Sequence, residues 1–203
     1  MLRTGMEQRK TYHHGDLRNA LLAAALDLLE EDGLEALSLR RAAARVGVSH
    51  AAPAHHFPTL RVLLNALAAI GFERFAAAMR DARAGAAPDP VAQMRAAERG
   101  YLDFAVAQPA LFRLMFTEAL IDWTDRALTE AADASYRQLA EICAPAAAHL
   151  GIEDPEGRAA LERLVWSQAH GRAHLTIERK FPRFGDAEAG PGGIDLAGLL
   201  FAG

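Results

Sequence analysis

Apolar residues recur at three- and four-residue spacing along almost the whole chain, and nowhere do they alternate with β-branched residues as a half-buried strand requires. Leu17, Leu21, Leu22, Ala25, Leu28 and Leu29 give a first helix one apolar face, with Asp16 placed to cap it and Gly33 to stop it. Ser38 caps a second helix, LRRAAARV, which Gly47 can end in the left-handed conformation. Ser49 then caps a third helix of about eight residues. Pro58 and Thr59 open a long fourth, LRVLLNALAAIGFERFAAAMRDARA, closed by GAAPDP. VAQMRAAERGYLDFAVAQ reads as a fifth, and PALFRLMF, with Pro109 in its first turn, as a short sixth. A seventh runs from about Trp123 to Leu150, with a kink expected between Glu141 and Pro145. An eighth spans about Pro155 to Lys180, and IDLAGLL follows a flexible GPGG as a last one. The pattern predicts an all-α protein of about nine helices, without internal repeats.

The second and third helices, short and joined by a tight glycine turn, make a helix-turn-helix. Ala43, four residues before Gly47, is small enough for the two helices to approach closely, and Val48 and Phe57 can anchor the unit on the first helix. Pro53 falls fourth in the third helix, where it removes only a bond to the cap residue Ser49, so the helix is expected to survive as a short one. His50, Ala51, Ala52, Ala54 and His55 then point outward, as residues that meet base edges in a major groove do.

Charge strengthens that reading. The net charge is −4, yet Ser38 to Arg61 holds Arg40, Arg41, Arg45 and Arg61 and no acid, leaving −8 for the remainder. Five of the eight histidines fall in the first 56 residues, and Arg3, Arg9 and Lys10 outnumber Glu7 in the leading arm. A basic end on an acidic body suits a DNA reader carrying a regulatory domain, although a packed helical corner with incidental arginines on a solvated face has the same composition. His50 and His55 are the candidates for base contact, and Ala51 and Ala52 can touch thymine methyls. Arg40, Arg41, Arg45, Arg61 and Thr59 are placed for phosphates, and Ser49 and His56 complete the candidate surface.

Length and composition agree. At 203 residues and 51% hydrophobic the chain can bury a sizeable core, which fits one large or two small domains. No stretch approaches about 18 uninterrupted apolar residues, and the first residues lack the apolar run of an export signal. A single cysteine, Cys143, forms no internal disulfide. A cytoplasmic location without membrane association is expected.

These residues resemble a known family, the TetR-like bacterial transcriptional regulators. The resemblance runs from about Thr11 to Leu64 through TYHHGDLRNALLAAALDLLEEDG, LSLRRAAARVGVS and HHFPTLRVLL. In the second half WSQAHG, with Trp166, His170 and Gly171, resembles the Trp-His-Gly signature of one subgroup of the family's regulatory domains. The resemblance implies a DNA-binding domain over residues 1–61 and a helical ligand-binding and dimerisation domain over 62–203. It further implies a homodimer through the last two long helices and a palindromic double-stranded operator. A small-molecule effector would bind among the fourth to eighth helices and release the DNA, repression being the commoner sign. Two positions depart from the family pattern, Ala54 replacing a tyrosine and Leu60 a lysine, both of which commonly contact phosphates. An alternative therefore stays open: a helical ligand-binding dimer whose helix-turn-helix has weakened or lost specific DNA binding.

On the eighth helix Leu161, Val165, Ala169, Ala173 and Ile177 form a ridge that permits close helix crossing. Trp166, His170, His174 and Glu178 repeat every four residues along a second stripe. That stripe can wall a pocket, bind zinc through a His-x3-His pair, or be buried structural polar residues; a third metal ligand is not apparent. If small molecules bind as in the family, Phe72, Phe104, Phe112, Met115, Phe116 and Trp123 are the candidate walls, alongside Trp166, His170 and His174. No nucleophile elbow, phosphate loop or dinucleotide fingerprint is present, so no motif calls for catalysis or a cofactor.

Overall fold

The structure, a computed structural model, describes residues 14–180 and 195–202. The basic arm of residues 1–13 and the GPGG segment thus lie outside the described residues. The chain divides into two compact units between Leu63 and Leu64. Among the described residues there are eight α-helices, two short 3-10 helices and no strands.

The N-terminal unit holds α1 (His14–Asp32), a 3-10 turn (Leu34–Ala36), α2 (Leu39–Val46), a second 3-10 turn (Ala52–His55) and the start of α3 (Leu60–Ala84). Leu21, Leu22, Ala25, Leu28 and Leu29 are buried, which is the face expected of α1. The helix starts before Asp16, so this residue lies within its first turn rather than ahead of it. Ser38 has extended backbone, and its side chain accepts a hydrogen bond from Arg41 N at 3.2 Å, capping α2. Gly47 ends α2 at φ 78°, ψ 29°, and Val48 N donates to Ala43 O at 3.0 Å. Nothing lies within 4 Å of where a Cβ would stand on Gly47, so left-handed backbone alone requires glycine.

The third helix departs from expectation. Instead of about eight α-helical residues capped by Ser49, it is a single 3-10 turn over Ala52–His55 with no side-chain cap. Its bonds run to the third residue back: Ala52 N donates to Ser49 O at 3.0 Å, Ala54 N to Ala51 O at 3.3 Å, and His56 N to Pro53 O at 2.9 Å. Pro53 is the cause. It offers no N–H, and its ring is fully buried, so it fixes the turn from within rather than fraying one end of an α-helix. Phe57 is buried beside it with the Arg18 guanidinium 5.4 Å from its ring centre. Thr59 then caps α3, its Oγ1 accepting from Val62 N at 3.3 Å.

The C-terminal unit contains the rest of α3, then α4 (Pro90–Ala107), α5 (Pro109–Met115), α6 (Arg126–His149), α7 (Pro155–Ile177) and α8 (Leu196–Leu200). Asp89, Asp125 and Asp154 cap α4, α6 and α7 by accepting from Ala92, Leu128 and Gly157 N. The Asp125 cap starts α6 three residues later than Trp123, and α7 stops at Ile177, short of Lys180. α6 continues through Pro145. α4, α6 and α7 pack on one another, with α5 and α8 against α4. Of the α7 ridge, Leu161, Ala169 and Ala173 are buried. Gly100 admits close crossing of α3 and α4, because a Cβ there would stand 2.5 Å from Ala78 O. By length and composition α3 could cross a membrane, but 61% of its most apolar window is buried within the protein.

Candidate nucleic-acid interface and candidate ligand cavity

The short turn in the N-terminal unit hides its anchors and displays its polar residues. With Pro53 and Phe57 inside, Ser49, His50, Ala51, Ala54 and His55 are exposed, and Ala52 and His56 are half-buried. Arg40, Thr59, Leu60 and Arg61 are exposed as well. Arg41 and Arg45 are drawn elsewhere: Arg41 Nη2 pairs with Asp32 Oδ2 and Arg45 Nη2 with Glu31 Oε2, both at 2.6 Å. Arg41 also donates to Ala36 O at 3.0 Å. These two arginines tie α2 to the end of α1. The hydrogen bond from Arg45 holds the Glu31 carboxyl below its usual range. Of the arginines expected at phosphates, Arg40 and Arg61 are exposed, while Arg41 and Arg45 would exchange a partner on α1 for a phosphate.

The C-terminal unit encloses a cavity of about 300 Å³ between α3, α4, α6, α7 and α8. Four expected residues line it: Phe72, Phe116, Trp123 and Trp166. Their rings touch in sequence, Phe72 with Phe116 at 5.6 Å, Phe72 with Trp123 at 6.2 Å and Phe116 with Trp166 at 6.3 Å between centres. Trp123 and Trp166 are partly exposed.

Phe104, Phe112, Met115, His170 and His174 do not line the cavity. Phe104 and Phe112 are consumed by ring packing, Phe104 on Phe75 at 5.5 Å and Phe112 on Tyr101 at 5.9 Å, and Met115 is filled in against Gly71. His170 and His174 stand behind the wall. Tyr101 Oη lies 2.7 Å from His170 Nδ1, and His170 Nε2 lies 3.1 Å from His174 Nε2. Two arrangements of neutral rings satisfy both contacts: Tyr101 donates to Nδ1 while His170 Nε2–H donates to His174, or His170 Nδ1–H donates to Tyr101 while His174 Nε2–H donates to His170. Burial, reinforced by the neighbouring His174, lowers His170 from 6.5 to about 4, and burial raises the Tyr101 hydroxyl above its usual value. Glu178 turns away to pair with Arg113 at 2.8 Å. Among the described residues no three or more His, Cys, Asp or Glu gather as a metal site would need. Cys143 is buried, and burial pushes its thiol up to about 12.

The polar wall was not anticipated. Glu98 on α4 accepts from Arg172 Nη1 at 2.8 Å and Gln168 Nε2 at 3.3 Å, a cluster held by side chains only 18% and 14% exposed at Glu98 and Arg172. Asp133, Ser135 and Tyr136 enter from α6, Phe75 from α3, Tyr101 from α4, and Leu196 and Ala197 from α8. α8 is held there by an ion pair from Arg95 to its cap residue Asp195, whose carboxyl that contact lowers to about 2. Helical spacing could have found Tyr101, which follows Met94 and Ala97 on one face; nothing local marks Glu98.

Comparisons with known proteins bear on both regions. Residues 21–67 match the family described as "Bacterial regulatory proteins, tetR family", and residues 94–190 match "Tetracyclin repressor-like, C-terminal domain". A solved protein of unknown function from Rhodococcus is 33% identical, with 93% of each chain covered and a TM-score of 0.72. The fold is shared with the TetR family regulator PfmR from Thermus thermophilus, at 20% identity over 90% of this chain and 97% of that one, TM-score 0.59. It is also shared with a TetR family regulator from Marinobacter aquaeolei, at 17% identity, 91% of each chain and TM-score 0.61. No curated protein matches the chain significantly.

Proposed function

The chain belongs to the TetR family of bacterial regulatory proteins, and from that premise we propose that it is a ligand-responsive transcriptional repressor, not an enzyme, acting in the cytoplasm. A homodimer joined through α6 and α7 binds a palindromic operator, residues 1–61 reading the DNA and residues 62–203 holding the effector and the partner copy. A small, largely apolar molecule in the cavity releases the DNA. Trp166, at the cavity, and His170 and Gly171 beside it support placing the regulatory domain in the Trp-His-Gly subgroup.

The observation that carries this reading is the capped α2, the left-handed Gly47 and the exposed residues that follow. His50 and His55 contact base edges, Ala51 and Ala52 touch thymine methyls, and Ser49, His56, Thr59, Arg40 and Arg61 meet the backbone. Arg41 and Arg45 join them by leaving Asp32 and Glu31. A second reading, a ligand-binding helical dimer without specific DNA binding, draws support from the same segment: the 3-10 turn is four residues long, and Ala54 and Leu60 offer phosphates nothing.

Hydroxyl-radical footprinting of the DNA upstream of the protein's own coding region separates the two. A dimeric regulator protects two symmetric patches about one helical turn, roughly 34–36 Å, apart. Uniform cleavage at every protein concentration would favour the second reading.

A further inference from the structure

Resting on the reading that the cavity holds the effector, we infer that this effector is a lipophilic amine, a ring-bearing apolar body with one cationic nitrogen. The wall carries charge of one sign. Glu98 and Asp133 are its charged members, and no Lys, Arg or His lines it. Glu98 uses Oε1 for both Arg172 and Gln168. Its Oε2 has no hydrogen-bond partner among the described residues, and no buried side-chain oxygen there lacks one, so Oε2 is accessible. Asp133 is exposed and pairs with no cation among the described residues.

The neutral polar groups point the same way. Ser135 Oγ donates to Ala132 O at 2.8 Å, Tyr136 Oη donates to Glu162 at 2.7 Å, and Tyr101 Oη is engaged by His170. The Ser135 and Tyr136 hydroxyl hydrogens are spent within the protein and their oxygens remain as acceptors, while the Tyr101 hydroxyl is held between His170 and Trp166. A ligand that donates, and best one that donates with positive charge, meets what the wall offers. Phe72, Phe75, Phe116, Trp123 and Trp166 present rings whose faces attract cations and whose bulk takes an apolar body. Residues 64–203 contain 19 acidic and 14 basic groups, so the surrounding field draws cations and repels anions. An acyl carboxylate or a phosphate ester would enter against Asp133, which has no paired cation among the described residues, and Glu98, whose charge Arg172 shares from outside the wall, with no cation lining the wall to receive it.

The chain's two tryptophans, Trp123 and Trp166, both line the cavity, so intrinsic emission reads its occupancy. Phenylbutylamine, phenylbutanol and phenylbutanoate, which share one body and differ in charge, are titrated into the full-length protein. The amine is expected to bind at least about tenfold more tightly than the carboxylate, with the alcohol between them. Asp133→Asn and Glu98→Gln, with melting temperatures confirming their folds, should each weaken the amine more than the alcohol and so erode the amine's advantage. If the carboxylate binds as tightly as the amine, or the advantage survives both substitutions, the ligand class is wrong while the cavity reading stands. If none of the three alters the emission, the cavity reading falls and takes the inference with it.

Discussion

The Arg41–Asp32 and Arg45–Glu31 pairs of the N-terminal unit join residues near in sequence, whereas in the C-terminal unit, beside the local Arg126–Glu130 pair, Arg172–Glu98, Arg95–Asp195 and Arg113–Glu178 join residues far apart. Arg41 reaches Asp32 across 9 positions and Arg45 reaches Glu31 across 14. Arg172 reaches Glu98 across 74, and Arg95 reaches Asp195 across 100. Exposure sets one pair apart: the Arg41 and Asp32 side chains are 45% and 40% exposed and Arg95–Asp195 is similarly solvated, against 14% and 18% for Arg172 and Glu98. The first unit therefore uses local, solvated links to present a surface, and the second uses a distant, desolvated link to shape an interior. A solvated pair can be exchanged for a phosphate at little cost, while a desolvated one is part of the scaffold.

The largest effect that distinguishes the two regions should come from single-partner substitutions. Arg172→Met leaves Glu98 half-buried without its cation and is expected to lower stability by about 1–3 kcal/mol in urea unfolding. Arg41→Met, at a solvated pair, should change it by less than about 1 kcal/mol. Equal losses would remove the distinction.

A smaller effect concerns pH. The folded protein holds His170 at about 4 against an ordinary 6.5, so between those values the unfolded chain binds more protons. The stability linked to His170 is whole above about pH 6.5 and is lost as pH falls toward 4. Melting temperatures of the wild type should drop more steeply over that range than those of His170→Asn. Parallel curves would mean that His170 is not held neutral behind the cavity wall.

This contrast also explains what the sequence disclosed. The cap at Ser38, the left-handed Gly47 and the apolar face of α1 are written within a few residues, so the all-helical fold and the helix-turn-helix were readable. Pro53 was misjudged for a specific reason: its cost was reckoned as one lost terminal bond, whereas the ring is buried and the whole segment turns around it. Phe72, Phe116, Trp123 and Trp166 line the cavity, as large aromatics at helical spacing must pack on something. Phe112 and Met115 obey the same spacing and went to the core, since periodicity gives a face and not its neighbour. Glu98, Gln168 and Arg172 converge only through the packing of α4 on α7.

The central claim is that the exposed surface around His50, His55 and Arg40 binds DNA by phosphate contact and base preference. Fluorescence anisotropy on the upstream duplex and on a scrambled one, across a salt series, tests it most directly. The account predicts tighter binding to the upstream duplex, and affinity falling with salt at a log–log slope of about −0.9 per phosphate contact, steeper than about −3 overall. Equal affinity for both duplexes with a slope near zero would contradict it.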